Sequence, residues 1–276
     1  MKKILSMILA VLMVASLFAY AAAEEESDWA YVQEKGVLTI GMTLFAPMNY
    51  YDATTGEFVG FDTELSTLVC ERLGVDVEFI EISWDAKEIE LNSKNIDCLW
   101  NGMCITPERS ENMAMTQPYL LNTQAMVMQA DREEEIMASV DGLTVVAEQG
   151  STGEGKIQGT IADDETVEVS AQEYFAGANY VPVASMATAL LEVKSGTADV
   201  ALVDSVCALG MVTEGSDYAD LVVNLDNNFG EQFYGIGFRK GSDIAAMVDQ
   251  VLAEMTQDGT MAELAAKYGL SEMLLG

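Results

Sequence analysis

Between residues 37 and 270 the chain repeats one arrangement: a short apolar run, a turn, then a stripe of apolar residues at helical spacing. Four or five apolar residues in a row suit a strand buried on both faces, and such strands need helices to cover them. Val37-Leu38-Thr39-Ile40 is the first run, and 57–61 is compatible with a further extended segment. Asp62 then reads as the N-cap of a helix whose Leu65, Leu68, Val69 and Leu73 share one stripe, stopped by Gly74. Residues 75–82 alternate as a strand does, 87–93 read as a helix and 96–100 as a buried strand. A second series has a strand at 143–147, a turn at 149–153 that opens a helix, a helix capped by Ser185 and ended by Gly196, and a strand at 199–203 that leads into Asp204. Two helices, near 243–256 and 260–267, close the chain. Repeated strand–helix units predict an α/β fold with open, mainly parallel sheets and helices on both faces. In such sheets ligands bind beyond the carboxyl ends of the strands, so the residues just after each strand are the candidates.

Composition narrows what those residues can do. The 276 residues are 50% hydrophobic, enough to core one large domain or two lobes. Thirteen basic against 45 acidic residues leave a net charge of −32, which would repel a phosphate backbone, so no nucleic-acid partner is expected. There is no histidine, which removes Ser-His-Asp and Cys-His catalysis and every His-containing metal site. Cys70, Cys98, Cys104 and Cys207 form no CxxC pair and no regular framework; free thiols packed as small hydrophobes are expected, with no metal and no cofactor.

Residues 1–23 differ from the rest, with Lys2 and Lys3, an apolar run broken only by Ser6 and Ser16, and Ala21-Ala22-Ala23 before three glutamates. This is the pattern of an export signal cut after Ala23, with Ala19-Tyr20-Ala21 as the other small-residue site and an uncleaved anchor as the alternative reading. No cysteine lies near the site to carry a lipid, and no second stretch is long and apolar enough to span a bilayer, so a soluble periplasmic or extracellular product is expected.

Three strand ends carry chemistry. After Trp100 comes Asn101-Gly102-Met103-Cys104-Ile105-Thr106-Pro107-Glu108-Arg109, where Thr106 can cap a helix that begins at Pro107 and sets Arg109 in its first turn. A guanidinium there is a planar fork suited to a carboxylate, whereas an ordinary surface arginine would pair with Glu108 or Glu111. Gly150, Ser151 and Thr152 open a helix whose free N–H groups and hydroxyls suit an anion, although Ser and Thr cap many helices without a ligand. Asp204 can face an ammonium or simply cap the helix that starts near Ser205. Together the three recognise a carboxylate and an ammonium, the head group of a free α-amino acid. Phe45 and Trp84, in loops after strands, could flank its side chain or simply be packed. Without histidine, acid/base roles could fall only to Glu148, Asp204 or Asp85, and no motif poises any two of them as a pair; no catalytic residue is expected.

The order of Phe45-Ala46-Pro47, Gly60-Phe61-Asp62, Trp84-Asp85, Gly102-Met103 with Ile105-Thr106-Pro107-Glu108-Arg109, Gln149-Gly150-Ser151-Thr152, Asp204 and Asp258-Gly259-Thr260 resembles the polar amino-acid substrate-binding proteins of ABC importers over essentially the whole mature chain. The resemblance implies a periplasmic binding protein type II-like fold, with two α/β lobes joined by a two-segment hinge. One lobe would comprise 24–128 and 231–276, the other 129–230, with crossovers near 127–130 and 225–231 and the C-terminal helices back on the first lobe. It also implies a monomer that hands its amino acid to a membrane permease; a few relatives of this fold are dehydratases of cyclic acids, and others present ligand to signalling receptors. By the same resemblance Arg109 and Thr152 hold the α-carboxylate, Asp204 holds the α-ammonium with groups of Asn101 and Gly102, and Phe45 and Trp84 sandwich the side chain. Cys104 stands where the family usually places a hydroxyl, and a thiol is the weaker acceptor. Thr43 stands where some binders of cationic ligands carry an acid, which argues against Lys or Arg as ligand.

Overall fold

Two sheets organise the molecule, and the order of their strands decides what lies in the groove between them. The computed structural model describes residues 27–162 and 166–276, so the expected export signal at 1–23 lies outside the described residues. The strands are β1 Val37–Met42, β2 Tyr50–Tyr51, β3 Phe58–Val59, β4 Asp76–Glu81, β5 Cys98–Cys104, β6 Met113–Met115, β7 Leu120–Asn122, β8 Gln124–Gln129, β9 Thr144–Glu148, β10 Asn179–Val183, β11 Val200–Asp204, β12 Leu221–Asn224 and β13 Gln232–Arg239. The first sheet runs β4-β1-β5-β13-β6, with β7 also on β13; the second runs β10-β9-β11-β8-β12. In each, the inner strands pair parallel as the strand–helix repeat predicts: β1 with β4 and β5, and β9 with β10 and β11. The strands that adjoin the crossovers, β13 and β8, run antiparallel to their neighbours.

The central strands are buried on both faces because helices cover both. Every residue of β5 and β11 is buried. On β8, Ala125 and Val127 face one core while Met126 and Met128 face the other. The terminal helices Ile244–Gln257 and Thr260–Lys267 pack on the helix Phe61–Leu73 of the first sheet, with Arg72 2.8 Å from Asp258 and Lys267 2.6 Å from Glu64.

Helix starts follow local chemistry. The hydroxyls of Thr106, Ser151 and Ser185 accept from Arg109 N, Glu154 N and Thr188 N at 3.2, 3.1 and 3.0 Å. Asp62 departs from its expected cap role. The helix starts at Phe61 after Gly60, whose φ of 139° sets it against the Met48 carbonyl, where a Cβ would collide. Asp62 is instead fully buried and reaches across to the first sheet.

Two boundaries also differ from expectation. The strand read at 96–100 begins at Cys98 and runs through Asn101 and Gly102 to Cys104, because tertiary hydrogen bonds satisfy those two turn-like residues. The passage from the first sheet to the second falls between Asn122 and Gln124, ahead of the 127–130 expected, so residues 124–128 build the second sheet. Extended chain continues straight through that crossover, and no turn residue marks it. The return lies between Asn224 and Gln232.

Candidate functional site

The carboxyl ends of β1, β4 and β5 face those of β9 and β11 across a narrow cleft, whose free space is only about 10 Å³. Of the ten candidates read from the sequence, nine line it: Phe45, Trp84, Asn101, Gly102, Cys104, Arg109, Ser151, Thr152 and Asp204. The tenth, Gly150, sits at the rim and offers its carbonyl to the opposite side.

Arg109 is placed by its helix start. Thr106 caps, Pro107 sets the first turn, and the guanidinium folds back over the end of β5. It is 6% exposed, donating from Nη1 to the Cys104 carbonyl at 2.8 Å and from Nη2 across the cleft to the Gly150 carbonyl at 3.2 Å. The surface pairing with Glu108 or Glu111 is therefore not its role. Lys87, which sequence reasoning left out, joins it: Nζ donates to the carbonyls of Trp84 at 3.1 Å and Gly150 at 3.0 Å and lies 5.4 Å from the Trp84 ring. Burial, then the neighbouring Arg109 charge, pulls its pKa down to about 8.

Asp204 makes no side-chain capping bond, although its helix begins at Ser205. Its carboxylate accepts from Gln124 Nε2 at 2.5 Å and from the Tyr234 hydroxyl at 2.7 Å, with the Cys104 thiol 3.9 Å away. Burial raises its pKa, and the Tyr234 and Gln124 hydrogen bonds act against that rise. The Cys104 thiol donates to Gln232 Oε1 at 3.2 Å, and burial holds it neutral, its pKa pushed up to about 12.

The floor of the first side is wired from within. Asn101 Oδ1 accepts from Thr43 N and Thr43 Oγ1, both at 2.9 Å, while its Nδ2 donates to the Thr43 carbonyl and to Asn49 Oδ1. The Asn101 side chain is thus committed to the fold, which leaves only its main chain to offer a ligand. Gly102 has a φ of 55°, and its N–H donates to Asp62 Oδ2 at 2.7 Å; Tyr119 donates to the same carboxylate. Burial pushes Asp62 up to about 7.

Glu148 and Met186 complete the lining. Glu148 ends β9, is 2% exposed, and its Oε1 has no hydrogen-bond partner among the described residues. Burial, then the charge of Asp204, pushes its carboxyl up to about 8 against the pull of Lys87 and Arg109. An acid closing an apolar strand run was the signal in the sequence; read there only as an acid/base candidate, it is a wall of the cleft. Asp85, the third such candidate, is exposed. All four cysteines are buried and free, and no group of potential metal ligands occurs among the described residues. No described helix is long and apolar enough to cross a membrane.

Comparison with known proteins fits this geometry. The family model for bacterial extracellular solute-binding proteins, family 3, matches residues 38–271. The L-cystine-binding protein TcyA of Bacillus subtilis is 27% identical over 280 residues, covering 97% of each chain. A substrate-binding protein of an ABC uptake transporter from Streptococcus pneumoniae, solved with bound histidine, superposes with a TM-score of 0.75 at 25% identity over 91% of this chain and 99% of that one. An ancestral amino-acid-binding protein described as a precursor of cyclohexadienyl dehydratase gives a TM-score of 0.72 at 27% identity over 87% and 98%. With two facing α/β sheets, a cleft at their strand ends and a match that spans nearly all described residues, this chain belongs to the bacterial extracellular solute-binding proteins, family 3.

Proposed function

We propose that the protein captures one free α-amino acid in this cleft, outside the cytoplasm, and delivers it to the permease of an ABC importer. One observation carries the reading: a buried guanidinium, Arg109, and a buried carboxylate, Asp204, approach the same small volume from opposite sheets, with Phe45 and Trp84 at its wall. A zwitterionic head group matches that pair. Arg109 with the Thr152 hydroxyl takes the α-carboxylate, Asp204 takes the α-ammonium, and the side chain lies against the two rings. Cys104, neutral and already donating to Gln232, shapes the pocket more than it binds charge.

The energetics suffice. Charge-assisted hydrogen bonds contribute roughly 1.5–3 kcal/mol each, and micromolar affinity corresponds to about 8.2 kcal/mol, so a few such bonds plus ring burial reach that range after the cost of association. Because Arg109 belongs to one side and Thr152 and Asp204 to the other, a ligand that bridges them favours the closed arrangement.

We take the protein to be a receptor and not a catalyst. Asp85 is exposed, and Asp204, whose charge reaches Glu148, has its hydrogen bonds from Gln124 and Tyr234 and none from Glu148. Export through residues 1–23 and a monomeric state belong to the same reading. The test is a thermal-shift screen of residues 24–276 against the proteinogenic amino acids, ornithine and cystine. A concentration-dependent stabilisation that Arg109→Ala abolishes is expected. No shift with any of them would sink the reading. Capture of a signalling receptor in place of a permease would reassign the protein to sensing.

A further inference from the structure

The two sheets set out their cleft residues in matching order. Outward from the crossover strands, the first sheet presents β5, with Cys104 at its end and Arg109 just beyond, then β1, followed by Phe45, then β4, followed by Trp84. The second presents β11, ending in Asp204, and then β9, ending in Glu148. The strand nearest each crossover strand therefore carries the groups that match an amino-acid head. The next strand out carries those that meet what extends from it, and on the second sheet that residue is Glu148.

Its surroundings leave Glu148 with an unmet acceptor. Gln124 and Tyr234 hold Asp204, and Arg109 faces the Cys104 and Gly150 carbonyls. Lys87 directs two of its N–H groups to the carbonyls of Trp84 and Gly150, and it acts on Glu148 through its charge without donating to Oε1. Glu148 Oε1 is buried with no partner among the described residues. A buried acceptor without a donor is costly, and a ligand that brings the donor recovers that cost on binding. Phe45 and Trp84 line the same volume, and aromatic faces favour a cation over a neutral donor.

We infer that Glu148 is the specificity-determining residue of the cleft, selecting an α-amino acid whose side chain carries a protonated, hydrogen-bond-donating nitrogen such as a guanidinium or an ammonium. This rests on the amino-acid reading above. It reverses the expectation drawn from Thr43. That hydroxyl is bound to Asn101, and the acid is supplied by the opposite sheet. Ligand charge would also draw the proton from Glu148, so affinity for such a ligand rises from pH 6 to pH 8. The groups that set this titration are Asp204 on β11, Lys87 beside Trp84, and Arg109 beyond β5.

The experiment is isothermal titration of the wild-type protein, Glu148→Gln and Arg109→Ala with L-arginine, L-ornithine, L-citrulline, L-norvaline, L-histidine, L-glutamine and L-cystine. Wild type should bind arginine or ornithine at least tenfold tighter than the uncharged citrulline and norvaline. Glu148→Gln should lose at least tenfold for the cationic ligand and little for citrulline, and Arg109→Ala should lose them all. Preferred binding of a neutral amino acid or cystine that needs Arg109 but is indifferent to Glu148→Gln overturns the inference and leaves the functional reading standing. Binding of no amino acid by wild type overturns both.

Discussion

The two walls of the cleft handle their polar groups in opposite ways. On the first sheet Asn101, Thr43, Asn49, Asp62, Gly102 and Tyr119 satisfy one another behind two aromatic rings and the Arg109 guanidinium, and the unpartnered Gln232 Nε2 lies on β13 away from that network. On the second, Glu148 keeps an oxygen without a partner and Asp204 carries a carboxylate whose ionised form burial disfavours. Apart from Arg109, the ligand-facing part of the first wall has its polar groups paired before any ligand arrives. The other holds groups that a ligand improves, and a receptor gains affinity from groups improved only on binding.

Breaking the ligand-facing chemistry should have the largest effect. Arg109→Ala removes the one guanidinium lining the cleft, and loss of a buried charge partner costs about 2–5 kcal/mol, or roughly thirtyfold or more in affinity. Calorimetry with the cognate amino acid would check it, and a loss below threefold would move the carboxylate site elsewhere. Breaking the paired network should act on stability first. Asp62→Ala strips the partner from Gly102 N–H and the Tyr119 hydroxyl, and we expect urea unfolding to show a loss of about 2–4 kcal/mol.

Gly102→Ala sharpens the comparison. A Cβ there meets Tyr234 Cε2 at 2.9 Å and Phe45 Cζ at 3.0 Å, at a φ of 55°. The expected cost is about 1–3 kcal/mol in stability, with a fall in affinity because Phe45 must move. The remaining effect is a pH dependence. A carboxyl with its folded pKa raised to about 8 contributes stability that is fully present below its ordinary range near 4.5 and is lost as pH climbs to about 8. Asp62, raised to about 7, acts in the same direction. Without added amino acid the protein should therefore melt lower at pH 8 than at pH 5. Glu148→Gln should raise the melting temperature at pH 8 by several degrees, since each unit by which the pKa is raised costs about 1.4 kcal/mol once the group ionises, and change it little at pH 5. An equal change at both pH values would show that Glu148 is not the buried acid described.

Much of this site was legible before folding because its markers are local. Thr106-Pro107 places Arg109 in a first helical turn, Ser151 caps its helix and Asp204 closes an apolar run, each within a few residues. The resemblance left open whether the carbonyl or the side chain of Asn101 meets a ligand, and only the approach of Thr43 and Asn49 from other segments occupies the amide. Asp62 misled in that it has the composition of a cap and is drawn inward by Gly102 and Tyr119, far away in the chain. The crossover at Asn122 to Gln124 left no mark because strand simply follows strand.

Apolar period, caps and stops act over one or two turns of chain, so the alternation of strands and helices, the α/β class and the residues at each strand end follow from the order of amino acids. Which ends meet depends on sheet order and on two crossovers that fold β8 and β13 into different sheets, and no local preference encodes that. Gly150 accepting from both Arg109 and Lys87, and Glu148 left without a donor in the wall opposite Trp84, exist because backbone pairing across the whole chain brings those ends together and burial then removes the water that would have satisfied them.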